Sequence, residues 1–406
     1  MSDLDAIEVR PRPCWIAGRA EQGERILTVR HPHDGTEVAD VAVPSAAQVD
    51  RAVAAAHDVA REFAALHART RAAVLSDAAE LITDRAEEIA ETITAENGKP
   101  LSRAHAEVRD AVAAFRFAAQ EAGQLDGVAG ELLRPGLAVV RRRPRGPVLA
   151  ITPSTFPLRL VAHHVAAAIA VGAPVLVKPS SATPMTALLL GEILAETVLP
   201  AGALSVLPVA GSDMAPLVAD DRLPVVTFTG SASAGWSIVD ALPRKHVVAA
   251  LDGGSTVVVC QDWASDTDLD NAAGRIANDG GVRWVVVASA VADRFAPRLV
   301  NAVSALRTGD PHDPDVDVSV APTVLLDGAT GAGPTISVSV VDGAVFAGVT
   351  GQRVGVFTHD LTTAFDAAAL VDAADLVIGG VPPAIDRQHV RATMVELTVE
   401  QALRIG

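Results

Sequence analysis

The sequence predicts an α/β protein built on parallel, helix-covered sheets, and three observations predict it. From Val148 onward, short runs rich in Val, Leu and Ala alternate with stretches of helical length through brief connections. Two of these runs, PVLVKPSSATP at 174–184 and LPVVTFTGSASAG at 223–235, end in turns of small residues that open a helix. Such turns present backbone N–H groups to a phosphate, so the pair suggests a nucleotide pocket. A length of 406 residues, 50% of them hydrophobic, suffices for two or three domains and a large core.

Residues 1–40 carry Pro11, Pro13, Pro32 and Gly35 among short apolar pieces and read as strands and turns. Ser45 can cap a helix running to about 67, and a second helical region spans 69–96, ended by Asn97-Gly98. A third helix covers about 102–123, and 137–143 reads as an exposed hairpin strand before Arg145-Gly146-Pro147. Strands follow at 148–152, 174–178, 204–208 and 224–229, with helices at 157–171, 183–197, 212–219 and 232–242. A second α/β unit takes strands at 246–250, 255–260 and 284–289 and helices at 267–278 and 293–306. Residues 309–351 are rich in Gly, Asp and Val and poorly patterned. A strand at 354–358, a helix at 361–373 and a final strand at 393–398 close the chain.

A net charge of −16 argues against a nucleic-acid partner, which needs a concentrated positive face. The basic cluster Arg141, Arg142, Arg143 and Arg145 reads as a charge-guarded strand edge. Cys14 and Cys260 are the only cysteines, so neither a disulfide framework nor a metal site is expected. Arg159 and His163-His164 interrupt the longest apolar stretch, and the acidic N-terminus lacks the order of an export signal. No membrane span is expected, and the cytoplasm is the expected compartment.

Motifs in fixed order add a resemblance. AENGKP (95–100), RRRPRGPVLAITPSTFPL (141–158), VLVKPSSATP (175–184), LPAGALSVLP (199–208), VTFTGSASAG (226–235), DTDLDNAA (266–273), GVFTHDL (355–361) and VELTVEQALRI (395–405) stand in sequence. With them the chain resembles the aldehyde dehydrogenase superfamily over nearly its whole length. The resemblance implies a parallel Rossmann-like sheet domain of nucleotide-binding type over 1–125 and 144–250. It also implies a smaller, reduced α/β domain of catalytic type over 251–390 and a β oligomerisation arm over 126–143 and 391–406. It implies NAD or NADP as cofactor, with Lys178 on the adenosine ribose and Gly230, Ser231 and Gly235 beside the pyrophosphate. Where many NAD-preferring relatives carry Glu there is Ser181; a neutral hydroxyl does not repel a 2′-phosphate, which puts NADP on equal terms with NAD. The arm implies a homodimer or higher homo-oligomer. An aldehyde and an intact homologue are further candidate partners.

The family's reacting groups are where the resemblance fails. The oxyanion-binding Asn is replaced by Thr155, and the general-base Glu falls on Leu251, which has no proton chemistry. Asp252, one residue on, is a candidate displaced base. The nucleophilic Cys falls on Arg283 in NDGGVRWVVVASAVADRF (278–295). Neither Ser289, which lacks a base partner, nor either cysteine replaces it. His163 and His164 lie on an Ala-rich helix and read as packed side chains. Three readings stay open: a pseudoenzyme with residual nucleotide binding and a structural or regulatory role, an enzyme of changed reaction using Arg283, Asp252, Thr155, His163 or His164, and ordinary NAD(P)-linked aldehyde oxidation.

Overall fold

The computed structural model describes residues 11–125, 129–131, 137–251, 254–320, 322–326, 335–342, 345–346, 349–380 and 387–405. The chain packs as two compact units, Met1–Thr229 with Trp236–Ala249 and Ile385–Gly406, and Gly230–Gly235 with Ala250–Ala384. Strands β1 (Cys14–Ile16), β2 (Arg19–Glu21), β3 (Arg25–Arg30) and β4 (Glu37–Val43) come first, then helices α1 (Ala46–Ala65), α2 (Ala68–Asp84), α3 (Ala86–Asn97) and α4 (Leu101–Glu121). Next are β5 (Ala129–Glu131), β6 (Leu137–Pro144), β7 (Val148–Ile151), α5 (Arg159–Val171), β8 (Val175–Lys178), α6 (Met185–Ala195) and β9 (Leu204–Val206). The run continues with α7 (Met214–Ala219), β10 (Val225–Gly230), α8 (Ala232–Ala241) and β11 (His246–Leu251).

These strands form a seven-stranded sheet in the order β11-β10-β7-β8-β9-β1-β2. Strands β7 to β10 are parallel, and all four residues of β7 are buried, as expected for a strand covered on both faces. The chain steps from β7 to β8 to β9 and then crosses back to lay β10 on the other side of β7. The strand order thus reverses between β7 and β10, and in open parallel sheets ligands usually bind outside the carboxyl ends of the strands at such a point. Ala-rich α5 is buried along almost its whole length, so small side chains let it pack closely.

The second unit carries β12 (Ser255–Val259), α9 (Asp266–Asn278), β13 (Val282–Ala288), α10 (Ser289–Ser304), β14 (Thr323–Leu326) and β15 (Thr335–Val341). It ends with β16 (Thr350–Phe357), α11 (Leu361–Leu370) and β17 (Asp372–Ile378). Its sheet is parallel throughout, in the order β14-β15-β13-β12-β16-β17. Helix α12 (Arg387–Glu396) and strand β18 (Thr398–Ile405) belong to the first unit, where β18 joins β6 and β5 in an antiparallel three-stranded sheet.

Several expectations are corrected. The final strand expected at 393–398 is mostly helix, because Val390, Met394 and Leu397 repeat at helical spacing and are fully buried; the strand starts at Thr398. The helical region 69–96 breaks at Arg85, whose φ of −101° and ψ of 21° end α2 and whose guanidinium binds Glu88, Glu192 and Glu196. Strands β14 and β15 lie inside the stretch read as unpatterned, and β17 follows α11 where no strand was expected. Among the described residues no helix is long and apolar enough to cross a membrane.

Candidate functional site

The sheet register puts Lys178 of β8 level with Ile151 of β7, and Ile151 level with Phe228 of β10. Lys178 therefore closes the same carboxyl edge at which the strand order reverses. The chain has three lysines. Lys99 donates to the Glu107 carboxylate and to Thr155 O, and Lys245 donates to Val218 O and Asp220 O at 2.6 Å each. Lys178 is half-buried, and its Nζ meets no hydrogen-bond or ionic partner among the described residues. Burial pulls its ammonium below the usual lysine range. Lys178 thus stands as a half-buried ammonium that no described group engages, at the carboxyl edge of the sheet. Ser181 lies in the turn after β8, half-buried, three residues beyond Lys178.

Two neighbouring helix N-termini are closed from inside. The Glu96 carboxylate, 2% exposed, accepts from Met185 N at 2.6 Å, Thr186 N at 2.9 Å and the Thr186 hydroxyl, and so caps α6. The Glu107 carboxylate, 3% exposed, accepts from Leu158 N at 2.9 Å and Arg159 N at 3.0 Å at the start of α5. Each carboxylate satisfies two orphan amides and sits on the positive end of a helix, so those amides are not open to an outside phosphate. Burial raises the Glu96 pKa to about 7, against the lowering effect of its hydrogen bonds. Sequence reasoning quoted Glu96 only as part of a motif. Its signal was available: Ile89, Ile93 and Glu96 share one stripe of α3, a carboxylate on an apolar face.

The turn after β10 is of a different kind. Gly230 ends the strand, Ser231 is exposed and accepts from Ala234 N at 3.4 Å, and Gly235, buried in α8, donates to Ser231 O at 3.0 Å. Thr229, just before it, lies 3.3 Å from His164 Nε2. His164 is 6% exposed, and burial drops its pKa to about 4, so it is a neutral packing residue at neutral pH. His163 meets the Thr393 hydroxyl at 2.7 Å, and the two imidazoles touch edge to face with centroids 5.4 Å apart.

Thr155 is exposed in the turn between β7 and α5. That turn is buttressed from below: Asn97 Nδ2 donates to Ser154 O at 2.8 Å and Lys99 Nζ to Thr155 O at 3.1 Å. The Phe156 ring lies between Lys99 and Arg159, whose cationic atoms are 4.2 and 3.4 Å from its centroid. Leu251 closes β11, half-buried, and Asp252 lies outside the described residues. Arg283 is the second residue of β13, and its Nη1 turns back on Gly280 O and Val282 O, 3.2 Å from each. Both cysteines are buried and free of disulfides. Burial raises Cys14 to about 11 and Cys260 to about 12, with Glu21 and Asp262 nearby adding to the shifts, so both are protonated thiols at neutral pH.

Residues 16–324 match the sequence model of the Aldehyde dehydrogenase family. The chain belongs to that family. It is 34% identical over 309 residues to a vanillin dehydrogenase of Corynebacterium glutamicum, an alignment covering 73% of this chain. The chain spans about 63% of the length of that relative. Among solved structures it is similar to a NAD-dependent benzaldehyde dehydrogenase of Corynebacterium glutamicum, with 26% identity and a TM-score of 0.88 over 99% of this chain and 100% of that one. Aldehyde dehydrogenase 21 of Physcomitrella patens, solved with the reaction product succinate, gives 27% identity and 0.88 over 98% of this chain and 99% of that one. The family fold thus spans the chain.

Proposed function

We propose that this family member keeps a dinucleotide-binding surface but does not perform the family's thiol-based aldehyde oxidation, and acts as a structural or regulatory homologue. The observation that carries the reading is the contrast between two groups. Lys178 is a half-buried ammonium that no described residue engages, whereas both thiols in the sequence are buried and held protonated. Lys178 and Ser181 are assigned to the adenosine ribose of NAD or NADP, and Gly230, Ser231 and Gly235 to the pyrophosphate. When bound, the nicotinamide supplies a hydride acceptor. Without a thiolate there is no covalent adduct from which an aldehyde hydrogen would leave as hydride, and Leu251 cannot activate water. The segments 1–125 and 144–250 are read as the nucleotide-binding part, 251–390 as the reduced catalytic part, and 126–143 with 391–406 as the arm of a homodimer.

A second reading, a changed reaction on the same scaffold, is favoured by one observation. The turn carrying Thr155 keeps its supports from Asn97 and Lys99, so a hydroxyl donor stands on a rigid platform. The test of the main reading is the melting temperature of the full chain with saturating NAD or NADP. Ligand at about 100 times its Kd adds about 2.7 kcal/mol and raises the midpoint. A midpoint unmoved by both dinucleotides refutes cofactor binding.

A further inference from the structure

A cleft of about 110 Å³ opens between the β1–β2 hairpin and the C-terminal half of α6. Trp15, Gly191, Leu199 and Leu204 line it, with Leu194 fully buried behind them. A glycine inside a helix is unfavourable relative to alanine. Here it leaves room for its neighbours, because a Cβ at Gly191 would stand 3.0 Å from Trp15 Cγ, Trp15 Cδ1 and Val206 Cγ2. The mouth is fixed as well. Ala17 takes a φ of +51°, the single positive φ of a non-glycine residue among those described, and its N–H donates to Ser205 Oγ at 2.9 Å. Gly18 N–H donates to Leu204 O at 3.1 Å. Ala17 and Gly18, both at positive φ, form the two-residue turn that joins Ile16 to its pairing partner Arg19, so the hairpin holds the mouth of the cleft in place.

Arg19 carries the only formal charge in the lining, and its exposed guanidinium has no ionic partner among the described residues. A guanidinium at the rim of an aromatic and aliphatic cleft matches a ligand with one carboxylate and a compact apolar body. An apolar cavity of about 150 Å³ takes up one benzene ring, so this smaller but open cleft has room for a single ring and no more.

We propose that the cleft framed by Trp15, Gly191 and Arg19 is a binding site for a one-ring carboxylate, separate from the dinucleotide surface. The ring lies against Trp15 and the leucines, and the carboxylate pairs with the Arg19 guanidinium. The test is isothermal titration of the full chain with benzoate and with benzyl alcohol, which has the same ring and no charge. Saturable benzoate binding is expected, at least tenfold tighter than benzyl alcohol, since only the carboxylate pairs with the guanidinium fork. Arg19→Ala is expected to weaken benzoate at least tenfold and Arg19→Glu to abolish its binding. The melting temperature without ligand should stay near that of the wild type, because the side chain is exposed. No saturable benzoate binding, equal affinity for the two probes, or benzoate affinity unchanged by Arg19→Ala overturns the proposal.

Discussion

Replacing Glu96 separates two roles of one buried carboxylate. In Glu96→Ala the amides of Met185 and Thr186 and the Thr186 hydroxyl lose their acceptor in a site that water does not reach. Each stranded donor costs about 1–3 kcal/mol, so the three together set a loss of at least about 3 kcal/mol, a large part of a typical total of about 5–15 kcal/mol. Glu96→Gln keeps one carbonyl acceptor and should lose less. The pH dependence distinguishes the two roles. Burial puts the folded-state pKa at about 7, above the ordinary 4.5, so the native state holds a proton that the unfolded chain releases. The stabilisation is fully present below about pH 4.5 and is lost as pH rises through 7, amounting to about 3 kcal/mol across that window. Urea midpoints measured from pH 5 to pH 8 should fall for the wild type and be flatter for Glu96→Gln, in which position 96 no longer titrates. Equal slopes for the two proteins, or Glu96→Ala within half a kcal/mol of wild type, would refute the reasoning.

Glu121, 1% exposed, receives both Arg387 and Arg391 and ties α12 to α4; Glu121→Ala should cost about 1–2 kcal/mol in denaturant midpoints, since the two guanidiniums left behind are half-exposed and rehydrate. Gly98 ends α3 at φ +70°, where an added Cβ would come within 2.7 Å of Pro32 Cγ. Gly98→Ala should therefore lose about 2 kcal/mol or more, detectable as a lower melting temperature. Lys178→Ala should remove the dinucleotide-induced rise in melting temperature and leave the ligand-free midpoint unchanged or higher, since an unpartnered half-buried ammonium stabilises nothing.

Much of the sheet was legible because β7, β8 and β10 are covered on both faces and write continuous Val- and Leu-rich runs between short turns. Helix α12 was misread because its apolar contacts Val390 and Met394 are only four residues apart and a strand follows directly, so periods of two and of 3.6 fit the same few residues. Strand β17, DAADLVI, begins with residues of low strand propensity and is held by pairing with β16, a tertiary effect that local sequence does not carry. Of the candidate site, the residue types at the reacting positions could be read directly. Partnership could not: that Lys99 and Lys245 are engaged while Lys178 is not depends on residues up to 56 positions distant, as in the bond from Lys99 to Thr155 O.

The most direct measurement is NADH or NADPH formation by the full chain, followed by absorbance with a panel of aliphatic and aromatic aldehydes and with both dinucleotides present in turn. On the proposed reading, in which both thiols stay protonated and Leu251 takes the place of the water-activating carboxylate, the expected rate is the uncatalysed background for every aldehyde. Sustained turnover well above that background with any of them would contradict it.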